Sequence, residues 1–263
     1  MKRAIGLAAL TVLELPHEEQ IGVAAHAGYS HVGLRLVPVA GQPFNHPFDA
    51  VQVEKRLADT GVKVLDVEVF RLTPETKVGD FEPAMAAAAR LQATELLVHG
   101  ADTVESRLTN TFGQLCDLAA RYGLAASIEP MPWVDVSNID KAMRILSVAR
   151  ENAGLLVDAI HFFRAGDKPD ELAKVPRKRL RYMQLCDAKP ERPTDMQEII
   201  RQARSDRLFP GEGGLDLKGL MKALPAGIPI SLEVPVSQKL PPLERARRAM
   251  QATKAILGFE EGT

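Results

Sequence analysis

Four polar residues stand where four apolar runs end. Ala125-Ala126-Ser127-Ile128 leads into Glu129 and Pro130; Leu155-Leu156-Val157 into Asp158, with His161 three residues on; Tyr182-Met183 into Gln184, with Asp187 close behind; Ile230-Ser231-Leu232 into Glu233. A carboxylate on a buried strand is costly unless a cation or hydrogen-bond donors compensate it. One shared divalent ion would compensate all of them at once. Three acids and an amide oxygen form a hard donor set, which suits Mg²⁺, Mn²⁺ or Co²⁺ better than Zn²⁺ with its preference for sulfur and nitrogen. Such an ion, chelated by a carbonyl and a neighbouring hydroxyl of a substrate, acidifies the carbon between them and stabilises the resulting enediolate. For any one residue alone, a surface acid just past a strand end is an equally good reading; for four together, the shared ion is the better one.

The elements that must carry these residues alternate. Apolar strand patterns cover 4–12, 31–36, 62–72, 96–99, 125–130, 154–160, 180–186 and 229–234. Helical spacing covers 16–28, 48–60, 81–92, 104–122, 138–152, 169–173, 196–204, 217–224 and 242–257. Alternating strands and helices predict a parallel sheet with helices outside it, and eight units in ~250 residues predict closure into an α/β (β/α)8 TIM barrel. An open doubly wound sheet would want a Gly-rich turn after the first strand, and Ala9-Leu10-Thr11-Val12-Leu13 has none. No low-complexity linker divides the chain, so residues 1–263 are expected to form one domain. The four polar residues then fall at the C-terminal ends of strands five to eight, where barrel chemistry sits.

The totals narrow the function. A net charge of -1 gives no electrostatic footprint for nucleic acid or an anionic membrane, so a small molecule is the expected partner. Cys116 and Cys186 are the only cysteines, read as reduced packing residues. With no signal-peptide pattern and no apolar run long enough for a bilayer, the expected location is cytoplasmic.

Further candidates surround the four. His161 is expected to reach the pocket, to bind a substrate oxygen or act as a general acid. For His99, at the end of strand four, ligand contact and packing stand equally. Glu68 and Arg71 should face opposite sides of strand three, since side chains alternate, with Glu68 toward the pocket or in an ion pair at its mouth. Arg35 and Arg164 could bind a carboxylate or phosphate, with a surface ion pair the better reading of each. Trp133 could wall the pocket with Phe44 and Phe162, or pack in the core. Arg207 lies in the connection between strands seven and eight, a usual place for anion contacts in barrels.

In combination, Ser127-Ile128-Glu129-Pro130-Met131-Pro132-Trp133, Gly154-Leu155-Leu156-Val157-Asp158 with His161, Tyr182-Met183-Gln184-Leu185-Cys186-Asp187-Ala188, Phe209-Pro210-Gly211-Glu212-Gly213-Gly214 and Ser231-Leu232-Glu233-Val234-Pro235 resemble the xylose-isomerase-like TIM-barrel superfamily. That group includes sugar isomerases and epimerases, hydroxypyruvate isomerases, inosose and 3-dehydroshikimate dehydratases, and endonuclease IV. The resemblance implies that Glu129, Asp158, Gln184 and Glu233 ligate one divalent metal, that Glu129 and Glu233 double as acid and base, that Arg207 lies near the substrate, and that Asp187 sits beside the metal or orients Gln184. It implies an isomerase or epimerase acting on a small sugar, polyol-derived ketone or hydroxy-keto acid. Gln184, where many sugar epimerases carry His, and the Pro-Gly-Glu-Gly run resemble the dehydratases, so a lyase stands as the alternative. An endonuclease IV-type phosphodiesterase would want more histidines than six. A binding-only barrel would not need three acids. The resemblance also implies a homo-oligomer, dimer or tetramer.

Overall fold

The computed structural model describes residues 3–39 and 44–258. Within them, eight parallel strands close into a barrel in chain order: β1 (Ile5–Leu7), β2 (His31–Arg35), β3 (Lys63–Leu72), β4 (Glu95–Gly100), β5 (Ala125–Ile128), β6 (Ala153–Asp158), β7 (Leu180–Leu185) and β8 (Ile230–Leu232). β1 pairs with both β2 and β8, so the sheet has no free edge. Around it lie α1 (His17–His26), α2 (Ala50–Thr60), α3 (Glu82–Arg90), α4 (Glu105–Arg121), α5 (Ile139–Ser147), α6 (Ala159–Ala165), α7 (Met196–Ser205), α8 (Leu217–Ala223) and α9 (Pro242–Leu257). Helix starts follow local chemistry: Asp49, Asn138, Asp158, Asp195 and Asp216 each accept a first-turn backbone N–H. Gly61 ends α2 at φ 70°, a conformation that costs a residue with a Cβ.

The outer core, between sheet and helices, is aliphatic. The inner one is small, with Leu65, Val69, Leu97, Leu156 and Tyr182 at its centre. Its floor is polar: Arg181 reaches from β7 across Gly154 to Glu95 on β4, at 2.7 Å, and Ser127 donates to the same carboxylate at 2.8 Å. A Cβ on residue 154 would stand 2.0 Å from the Arg181 stem, so glycine is what lets that side chain pass.

Three expectations need correction. The first strand stops at Leu7 and a 3-10 turn, Ala9–Val12, follows. Thr11 Oγ1 donates to Leu232 O and accepts from Val234 N, both at 2.8 Å, which ties this turn to the end of β8 instead of extending β1. Secondly, α5 ends at Ser147, short of Asn152, whose amide is engaged by the Cys116 and Leu124 carbonyls. Thirdly, β6 stops at Asp158 because that residue caps α6, and the helix opens at Ala159. His161 therefore sits in the first turn of a helix and is held rigidly over the barrel end.

Candidate active site

The strand ends on one face of the barrel enclose a cavity of about 670 Å³, open mouth included. Glu68, His99, Glu129, Trp133, His161, Arg207 and Glu233 line it, all of them sequence candidates. Asp158 and Gln184 are buried and bonded to lining residues.

Glu129 leaves β5 with its backbone N–H bonded to Val98 O. His99 Nε2 lies 2.7 Å from its Oε2, and His161 Nε2 lies 3.7 Å from its Oε1. That Oε1 is buried and has no hydrogen-bond partner among the described residues. Burial, reinforced by the Asp158 charge, raises the Glu129 carboxyl well above the usual range. Asp158 accepts from the His161 backbone N–H at 3.1 Å and from Arg207 Nη1 at 2.6 Å. Burial alone would raise its pKa, but Arg207 and His161 outweigh it and hold it low. Glu233 accepts from Gln184 Nε2 at 2.9 Å and pairs with Arg207 Nη2 at 2.6 Å. Its proton affinity is still raised, burial being the largest cause. Both imidazoles are held neutral by burial, at about 3 for His99 and for His161. The Trp133 ring meets His161 edge-on, centroids 4.9 Å apart, and fixes its tilt.

The donors fit a metal ion. Ligand atoms of Glu129, Asp158 and His161 lie within 4.8 Å of one another, and Glu129 Oε1 and Gln184 Oε1 are buried oxygens with no hydrogen-bond partner among the described residues. The imidazole was expected to meet substrate, yet it belongs to this tight cluster. Glu233 does not; Arg207 and Gln184 hold its carboxylate. An imidazole among the donors removes the sequence argument against zinc.

Arg207 is the buried hub, its side chain 1% exposed, bridging Asp158 and Glu233 while its Nε donates to Ala203 O. It touches the cavity, but its primary contacts are with the acids. Asp187, expected beside the metal or orienting Gln184, does not line the cavity. Its Oδ1 accepts from the Ala188 and Leu215 N–H groups and its Oδ2 from Gly211 and Gly213, at 2.8–3.1 Å. It pins the Pro-Gly-Glu-Gly loop. Asp187→Ala is expected to cost about 3 kcal/mol, since it strips four N–H groups of a charged acceptor. Urea denaturation measures the loss, and proteolytic cutting should begin within 208–216.

Glu68 and Arg35 pair with each other at 2.7 Å, both largely buried. Arg164 is buried rather than on the surface, donating to Lys189 O and Gln202 Oε1. Phe44 is exposed and Phe162 packs against Phe163; neither lines the cavity. Arg71, assigned from the sequence to the far side of β3, lines the cavity, as does Arg204, which the sequence did not single out. The cause is a register shift: between Val67 and Phe70 β3 advances three residues while β4 advances two, which reverses the alternation. The N-terminal histidines are engaged elsewhere, for example His17 Nε2 with Arg35 O and His46 Nε2 with Leu13 O, and none lines the cavity.

A closed eight-stranded barrel whose carboxylates and imidazoles converge at the strand ends has the plan of a TIM-barrel enzyme. Residues 21–256 match the family described as xylose isomerase-like TIM barrel, and the chain belongs to that family. It is 28% identical over 161 residues, 59% of this chain, to a 3-dehydroshikimate dehydratase of Pseudomonas aeruginosa. It is 27% identical over 152 residues, 55% of this chain, to an inosose isomerase of Bacillus velezensis. The chain spans 25% of the length of the first relative and 52% of the second. Among solved structures, the IolI protein with a bound zinc atom superposes with a TM-score of 0.79 at 18% identity, covering 98% of this chain and 100% of that one. No helix among the described residues is long and apolar enough to cross a membrane.

Proposed function

We propose that this protein is a divalent-metal-dependent isomerase or epimerase that enolises a small polyhydroxylated ketone or hydroxy-keto acid. The observation that carries the reading is Glu129: a carboxylate in the cavity, one oxygen held by His99, the other buried and without a hydrogen-bond partner among the described residues, its proton affinity raised by burial. That is the description of a base set to take a proton from carbon. Glu129, Asp158 and His161 would hold one divalent ion, with Gln184 and Glu233 beside them. When bound, the ion supplies Lewis-acid polarisation of the substrate carbonyl and neighbouring hydroxyl.

The residues divide the remaining work. Glu129 receives the proton from the carbon beside the carbonyl. Glu233, on β8, flanks the cavity and returns a proton, to the neighbouring carbon in isomerisation or to the opposite face in epimerisation. Neutral His99 orients Glu129, while His161 is left to the ion. Trp133 excludes water from one wall. A lyase outcome, with loss of a β-hydroxyl from the same enolate, is favoured by the likeness to 3-dehydroshikimate dehydratase.

One experiment separates these. Metal content per chain is measured first. Hydroxypyruvate, inosose and 3-dehydroshikimate are then followed by proton NMR in D₂O. One divalent ion per chain with deuterium entering a ketone without water loss supports the isomerase or epimerase. Water loss supports the lyase. Neither exchange nor elimination in any of the three, with metal bound, overturns the enolisation reading.

A further inference from the structure

We propose that the substrate carries an oxyanion, a carboxylate or a phosphate monoester, which Arg71 and Arg204 receive at the cavity mouth while the reacting carbon lies below at Glu129. The inference rests on the enolisation reading and adds the charge and orientation of what is enolised.

Four guanidinium groups line this one cavity: Arg35, Arg71, Arg204 and Arg207. Two are committed within the protein. Arg35 pairs with Glu68, and Arg207 bridges Asp158 and Glu233. Arg71 and Arg204 are exposed, and their guanidinium groups have no hydrogen-bond or ion-pair partner among the described residues. Some exposed arginines elsewhere on the barrel are paired, as in Arg144–Glu105, Arg150–Asp117 and Arg201–Glu198, and among the described residues others, such as Arg56 and Arg247, are not; what sets Arg71 and Arg204 apart is the cavity they line. These two come from separate elements, the end of β3 and the last turn of α7, yet open onto the same cavity.

Charge balance points the same way. The four arginines match four carboxylates, Glu68, Glu129, Asp158 and Glu233, and a divalent ion would leave the site positive by about two charges before substrate enters. A neutral polyol would leave both mouth arginines without a counter-charge. A substrate oxyanion supplies it, and guanidinium forks suit both carboxylate and phosphate geometry. With the anion held at the mouth, the hydroxy-ketone end is directed toward Glu129, whose Oε1 has no hydrogen-bond partner among the described residues.

Trp133 makes the test independent of turnover. It is the only tryptophan and lies in the cavity against His161, so its emission reports occupancy. The metal-containing protein is titrated with shikimate and with its neutral methyl ester, and separately with glycerol 3-phosphate and glycerol. Wild type should bind one anion at least about tenfold more tightly than its neutral partner at low salt, a gap that shrinks with added salt. In Arg71→Gln/Arg204→Gln the gap should fall to about twofold or less while affinity for the neutral partner holds, since both side chains are exposed and their loss leaves the fold intact. A gap for shikimate alone assigns a carboxylate substrate; a gap for glycerol 3-phosphate alone assigns a phosphate ester. Equal affinity for charged and neutral probes, a gap that survives the double substitution, or no saturable signal from either anion up to about 50 mM overturns the proposal. Deuterium exchange into a neutral hydroxy-ketone reads enolisation separately, so a charge-blind cavity that still exchanges sinks the anion assignment alone.

Discussion

Arg207→Gln is expected to destabilise the metal-free protein by about 3–5 kcal/mol, the usual cost of removing one partner from a buried ion pair. The guanidinium is 1% exposed and each terminal nitrogen lies 2.6 Å from a buried carboxylate, Asp158 on one side and Glu233 on the other. Glutamine leaves both buried acids without a counter-charge. They must then take up protons or be forced apart, and either event costs stability. The same argument gives a second, more diagnostic result. A divalent ion in the site would compensate the orphaned acids, so added Mn²⁺ or Zn²⁺ should raise the stability of Arg207→Gln more than that of wild type, and EDTA should reverse it. Urea denaturation with and without the ion measures both, urea being chosen because guanidinium would screen the charges. Arg207→Lys should recover part of the loss, because a single ammonium cannot bridge two carboxylates as the planar fork does. Equal stability of Arg207→Gln and wild type in EDTA would show that Arg207 is not what compensates the acids.

The barrel was legible in the sequence because its signals are local and repeat eight times: apolar runs, helical spacing, and Asp, Asn or Gly at the boundaries. The acids were legible for a related reason. Glu129, Asp158, Gln184 and Glu233 each interrupt an apolar run, and an interruption in a buried strand is visible without knowing the fold. What was not legible depends on relations between strands. Arg71 is a single surface charge to a period-two reading, and only the extra residue in β3 relative to β4 turns it toward the cavity. Arg207 could be placed in the right connection, but its pairing with two acids 26 and 49 residues away in sequence required the closed barrel. His161 was read as leaving a strand; Asp158 acting as a cap moved it onto a helix and beside the carboxylates. Asp187 misled because an acid past a strand end looks the same in sequence whether it faces substrate or backbone N–H groups.

Glu129→Gln and Glu233→Gln are the same chemical change on two neighbouring acids, and they are expected to move stability in opposite directions. Deuterium exchange should fall by about 10³-fold or more in Glu129→Gln, since an amide cannot accept the proton and general-base contributions are of that order. Metal content should fall as well, with one anionic donor gone. The fold, however, should not suffer. One Glu129 oxygen has no hydrogen-bond partner among the described residues, and the carboxyl's raised proton affinity reports the cost of keeping it charged. A neutral amide of the same shape removes that cost, so the metal-free variant should be as stable as wild type or more stable by about 1 kcal/mol. Glu233 is in the reverse position. Its carboxylate is half of the compensation for the Arg207 guanidinium, so Glu233→Gln leaves a buried cation short of one partner and should lose about 2–3 kcal/mol in the absence of metal. Paired urea melts in EDTA, with exchange measured on the same preparations, read both effects. Loss of activity with retained or increased stability marks Glu129 as a residue kept at the expense of the fold, which is what a base held for chemistry should look like. If instead Glu129→Gln unfolds as easily as Glu233→Gln, then Glu129 is a structural acid and the proton transfer assigned to it has no support.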